Sequence, residues 1–163
     1  MKYLLLFVAF LPLSLVAQDC KLKTEKDQFT QQPRVTTGFM PLNSSKLSIT
    51  ADSKELDFFI ALSGDNCFDD ASTLTILFDD GRTKSNYRSS GSMNCEGLFH
   101  FTIRNTPTSN SNLVRLETKK VKSLKLTNGK TITDIELTEV QKDKLQALVV
   151  CISKEAKTLI PKP

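Results

Sequence analysis

The chain has 163 residues, with 22 Lys and Arg against 18 Asp and Glu, four Cys, one His and no Trp. That length and a charged fraction of 25% describe one ordinary globular domain and exclude a disordered chain. The formal charge of +4 is mild and nowhere gathered into a basic stripe, so nucleic acid is not an expected partner.

Met1 and Lys2 give a positive start, and an apolar run follows from Leu4 to Ala17, interrupted only by Pro12 and Ser14. A bilayer crossing needs roughly 20 helical residues, more than this run offers. Residues 1–17 therefore read as an export signal, with Ala17 at the cleavage position and Gln18 or Asp19 opening the mature chain. The other readings are an N-terminal core strand or helix, and a lipid anchor on Cys20. The anchor needs a small residue directly before the Cys, where Asp19 stands. No later stretch approaches spanning length. The expectation is a single domain over residues 18–163, periplasmic or extracellular, monomeric, and not stably inserted in a membrane once the signal is removed.

Export changes the meaning of Cys20, Cys67, Cys95 and Cys151. In an oxidising compartment an even set favours two disulfides, and four cysteines allow three connectivities. No C-x-x-C pair occurs and the single His is not placed with two Cys, which argues against zinc. Cys67 and Cys95 stand at the ends of neighbouring strand segments, while Cys20 opens the mature chain and Cys151 sits on a C-terminal helix. The expected bridges are Cys67–Cys95 and Cys20–Cys151, the second tying down both termini. The alternative is a reactive thiol, Cys95 with His100.

Along the mature chain the dominant period is two. Leu47 and Ile49 alternate with polar neighbours, and Leu56, Phe58, Ile60 and Leu62 mark one buried face of a strand. Leu74, Ile76 and Phe78 repeat the pattern before Asp79-Asp80-Gly81, a hairpin signal that turns the chain into the polar stretch Arg82 to Arg88. A returning strand that polar suits a sheet edge. Phe99, Phe101 and Ile103 define another strand, with His100 on the opposite face. Thr106 to Asn112 is a polar loop, and Leu113 to Leu116 fits either a helical turn or a strand. Leu124 and Leu126, Asn128-Gly129, then Ile132 and Ile135 to Leu137 form a second hairpin. The fold class is mainly β within α+β: an antiparallel sandwich or barrel-like sheet of six to eight strands.

The last segment breaks this rhythm. Thr138 with Gln141 makes a capping box. Val140, Leu145, Leu148, Val149, Ile152, Ala156 and Leu159 then recur at helical spacing, with Cys151 on the edge of the stripe. A helix over about 139–157 packs on the sheet and ends before Pro161.

Asp27-Gln28-Phe29-Thr30, Leu77-Phe78-Asp79-Asp80-Gly81, the segment Lys120 to Leu126 and the terminal helix with Leu148 to Ile152 occur in this order. Together they resemble a loose group of small exported proteins of Bacteroidetes-type bacteria, in which D-x-F-T often continues with Gly where Gln31 stands here. The resemblance implies the compartment and a β-rich body closed by a helix, and no chemistry.

The chemical signals are sparse. His100 has no G-x-S-x-G elbow to serve, and Ser89-Ser90-Gly91-Ser92 reads as a polar loop. Asp65, Asn66, Asp69 and Asp70 form an oxygen-rich loop around Cys67. Such a loop suits calcium in principle, but it lacks the EF-hand spacing, and Asp and Asn are also turn formers. Asp79 and Asp80 are turn formers first, and paired carboxylates for glycoside hydrolysis would need a cleft. Tyr87, beside Arg82 and Arg88, is the one candidate for stacking against a sugar. No phosphate loop or dinucleotide fingerprint occurs, so no cofactor is expected. The reading is a non-catalytic binding or structural domain whose partner is an unknown protein or envelope ligand. The alternatives are a small hydrolase or thiol protein using His100 or an unpaired Cys, and a calcium-stabilised module.

Overall fold

The computed structural model describes residues 20–108, 110–129 and 131–161, so the export-signal reading of residues 1–17 and the first mature residues lie outside it. Ten strands and two helices follow in chain order: β1 (Lys23–Lys26), β2 (Pro33–Thr36), β3 (Met40–Leu42), β4 (Ser45–Ala51), β5 (Glu55–Leu62), β6 (Thr73–Phe78), β7 (Lys84–Arg88), β8 (Leu98–Arg104), α1 (Ser111–Thr118), β9 (Val121–Asn128), β10 (Thr131–Glu136) and α2 (Glu139–Thr158). They form two antiparallel sheets. The larger is ordered β1-β2-β4-β5-β8, with β3 also paired to β4, and the smaller β10-β9-β6-β7. This is the sandwich form of the expected class, with its C-terminal helix.

The number of strands exceeds the expected six to eight because β1, β2 and β3 carry no readable period. All four residues of β1 are exposed, β2 starts at Pro33, and β3 is three residues with Pro41 in the middle. β2 and β3 share one edge of β4, pairing with Ala51 and Thr50 and then with Leu47 to Ser45. Between them Thr37 keeps contact with the edge: its N–H donates to Ile49 O and its hydroxyl accepts from Ile49 N. The interruption leaves Val35 and Met40 buried and Phe39 exposed.

Both turn signals close hairpins. β6 pairs with β7 and β9 with β10, and β7 is the edge strand its polar sequence predicts. Asp80 organises the first turn, accepting from the N–H groups of Arg82 and Thr83 through Oδ1 and from Lys119 Nζ through Oδ2. The D-x-F-T stretch forms the β1–β2 turn, where Asp27 Oδ1 accepts from Phe29 N at 3.0 Å and Thr30 N at 2.8 Å. Gln31 follows with φ 57°, a left-handed conformation that favours glycine. Gly97, where the chain enters β8, is held more tightly. Its φ is +74°, and a Cβ there would meet Leu62 O at 2.8 Å.

One core unites the elements, with Leu56, Phe58, Ile60, Phe99, Phe101 and Ile103 of the large sheet against Leu74, Ile76, Phe78, Leu124 and Leu126 of the small one. Leu113 and Leu116 resolve the ambiguous segment as a helix. They bury one side of α1, which Asn110 caps, so the loop read as extending to Asn112 ends two residues earlier. α2 packs against β2 and β4 of one sheet and β9 of the other, closing one side of the sandwich with Leu145, Val149, Ile152 and Ala156. Its capping box is complete: Gln141 N donates to Thr138 Oγ1, and Thr138 N donates to Gln141 Oε1. Asn105, just beyond β8, donates from Nδ2 to Ala156 O at 2.7 Å and holds the far end of the helix. Among the described residues no helix is long and apolar enough to cross a membrane.

The structure joins Cys67 to Cys95 and Cys20 to Cys151, across 28 and 131 residues. Loop closure of those lengths stabilises the fold by roughly 3.5 and 5 kcal/mol in the chain-entropy picture.

Candidate functional site

The outer face of the large sheet is where polar chemistry collects. Along β5 the alternation sends Leu56, Phe58, Ile60 and Leu62 inward, and so sends Asp57, Phe59 and Ala61 outward. On β8 the outward positions include His100 and Thr102. The register sets Phe59 opposite His100 and Asp57 opposite both Thr102 and Thr50, so Asp57 and His100 are diagonal neighbours. His100 Nδ1 stands 3.4 Å from Asp57 Oδ2.

Two further aromatic rings continue from this pair. The His100 ring meets Phe59 edge to face at 4.5 Å, and Phe59 meets Phe39 in the same manner at 6.0 Å. Phe39 reaches this row because the β2–β3 interruption places it on the solvent side, where it remains 61% exposed. A solvent face normally carries polar residues at such positions.

The polar groups are constrained. Burial pushes the Asp57 carboxyl above its ordinary value, opposed by the nearby His100 and Arg34 charges. Its Oδ1 is buried and has no hydrogen-bond partner among the described residues. Arg34 itself donates from Nη2 to Asp27 Oδ2 at 2.6 Å. On the far side of His100, Ser90 N donates to the His100 carbonyl at 2.9 Å, and a Cβ on Gly91 would lie 3.2 Å from the imidazole. The Ser89–Ser92 loop thus runs along the free edge of β8 and packs directly on His100. Glu55, Asp57, Ser90, Ser92, His100 and Thr102 line an open hollow of about 430 Å³.

The other residues singled out from the sequence have different placements. Cys95 is bonded to Cys67, which removes the thiol that a Cys95–His100 pairing needs. Cys20 is bonded to Cys151 and has no free sulfur for a lipid thioether. In the acidic loop, Asp69 is a turn former: its Oδ1 accepts from Ser72 Oγ at 2.6 Å and Ala71 N at 3.1 Å. Those bonds, led by the Ser72 hydroxyl, hold its carboxyl below the ordinary range. Asp65 and Asn66 line a separate small cavity with Asn128 and Thr133. Among the described residues no three His, Cys, Asp or Glu side chains are grouped to hold a metal ion.

Asp79 accepts from Lys142 Nζ at 2.9 Å and so ties the first hairpin to α2. Tyr87 is half-buried rather than laid open beside Arg82 and Arg88. It packs on core Phe101 with centroids 4.1 Å apart, and burial pushes its hydroxyl up to about 12. Sequence reasoning passed over Asp57, Phe59 and Phe39. The usable signal was Phe59, an aromatic in the outward register of a strand whose inward face was already filled.

Comparison with protein-family models, curated proteins and solved structures finds no match to this chain.

Proposed function

We propose that this chain is an exported, disulfide-stabilised, non-catalytic domain that binds an envelope component in the periplasm or at the cell surface. The outer face of the large sheet is its contact surface. The observation that carries the reading is the row Phe39–Phe59–His100 beside Asp57, an aromatic strip where a solvated face is the ordinary outcome. The apolar run Leu4 to Ala17, the two disulfides and the resemblance to small exported proteins support the compartment.

The test uses protein from the producing cells. A non-reducing peptide map is expected to begin near Gln18 and to contain both bridges. Co-sedimentation with washed envelope vesicles is expected for the native protein and lost in Phe39→Ser/Phe59→Ser, which stays folded with its melting temperature lowered by a few degrees. Retained residues 1–17, or equal sedimentation of the variant, would overturn the reading.

One observation favours a second reading, a small hydrolase. An acid on His100 Nδ1 is the arrangement that orients a catalytic base, and a serine-containing loop lies against the same ring. Ester hydrolysis that disappears in a folded His100→Ala variant would establish it over the binding reading.

A further inference from the structure

Beside Cys20 a groove of about 490 Å³ runs between α2 and the segment joining β2 to β3, within the size range of small-molecule sites, roughly 300–1,000 Å³. Its apolar wall is formed by Phe39 on one side and by Ala147 and Leu148 on the other, with the Cys20–Cys151 disulfide beside them. Three charged side chains line it: Lys21, Asp143 and Lys144. Asp143 is already engaged, its Oδ1 lying 2.5 Å from Lys120 Nζ. Lys21 and Lys144 are exposed, and among the described residues neither has an ion-pair partner.

A trough with apolar walls and two uncompensated ammonium groups complements an anion with a slim apolar body. We propose that this groove binds a fatty acid of about twelve carbons, its carboxylate held by Lys21 and Lys144 and its alkyl chain lying between Phe39 and the Ala147–Leu148 face of α2. Two flexible cations supply the charge recognition, and the alkyl chain supplies apolar burial. The site is separate from the Asp57–His100 pair and does not depend on the reading given to that pair, although Phe39 borders both.

The probe is dodecanoate, titrated into the oxidised protein as purified, by calorimetry and by amide chemical shifts. The expected result is one-to-one binding, with the largest shifts at Phe39, Ala147 and Leu148. Lys21→Ala/Lys144→Ala should weaken dodecanoate binding roughly tenfold, since each exposed ion pair is worth a small factor. The double variant replaces exposed side chains, so its fold is not at stake, and Ala147→Trp provides an independent block by filling the trough. Dodecyltrimethylammonium, with the same chain and opposite charge, should bind at least tenfold more weakly than dodecanoate. No dodecanoate binding, shifts elsewhere, or equal affinity in the double variant would overturn the proposal. So would association with phosphatidylglycerol vesicles without dodecanoate binding, which would assign the two lysines to a membrane surface.

Discussion

The two faces of β5 obey the same alternation and have different fates. Inward, Phe58 stacks on Phe101 of β8 at 4.6 Å within a continuous apolar core. Outward, Phe59 sits one residue away against Phe39 and His100, and next to Asp57, which burial has pushed toward its neutral form. Core formation explains the inward set without remainder. It does not explain why the outward set includes an aromatic and a partly desolvated acid, and the proposed binding role rests on that remainder.

Substitution of the adjacent phenylalanines tests the contrast most strongly. Phe58→Ala should cost about 3–5 kcal/mol in urea unfolding, and Phe59→Ala about 1 kcal/mol, since one leaves a core cavity and the other a half-open site. Similar losses would mean that the outer face is a second core layer, awaiting no ligand.

A smaller effect isolates Asp57. Its carboxyl titrates above 3.8 in the folded protein, so the folded state holds that proton more tightly than the unfolded one. Its favourable contribution is present below 3.8 and is lost as pH rises through the folded value. Asp57→Asn should therefore gain melting temperature relative to the native protein on going from pH 3 to pH 7. Asp27, Asp69 and Asp80 have depressed values and act in the opposite sense, their stabilisation being lost as pH falls below 3.8. The difference between variant and native protein cancels them, and a difference independent of pH would show that the His100 and Arg34 charges fully offset the burial of Asp57.

The smallest effect lies away from both faces, in the β1–β2 turn. Gln31→Gly relieves a left-handed backbone and should stabilise by about 0.5 kcal/mol, after subtracting the added freedom of the unfolded chain. A loss of stability in thermal unfolding would show that the Gln31 side chain, which donates to Gln28 O at 3.1 Å, outweighs the strain.

What could be read in advance follows from the range of the interactions. The β6–β7 and β9–β10 hairpins depend on turns of a few residues, and α2 on its own cap and stripe, so local sequence carries them. The inward face of β5 was legible because burial repeats every second residue. β1, β2 and β3 were not, since pairing to a neighbour makes them strands and their own pattern does not. The candidate site was less legible still: His100 was noticed, but Asp57 is 43 residues away and joins it only through the β5–β8 register. Phe39 enters through a break between two short strands that no periodicity announces.

The Cys20–Cys151 bridge has a mechanical consequence. Tension applied near Cys20 and at the carboxyl end passes through the covalent link into α2 and peels only the turns beyond Cys151. Neither sheet then bears the load, and none of the chain between Cys20 and Cys151 can be extended. A domain wired in this way can be tethered at either end and pulled without losing the surface it presents.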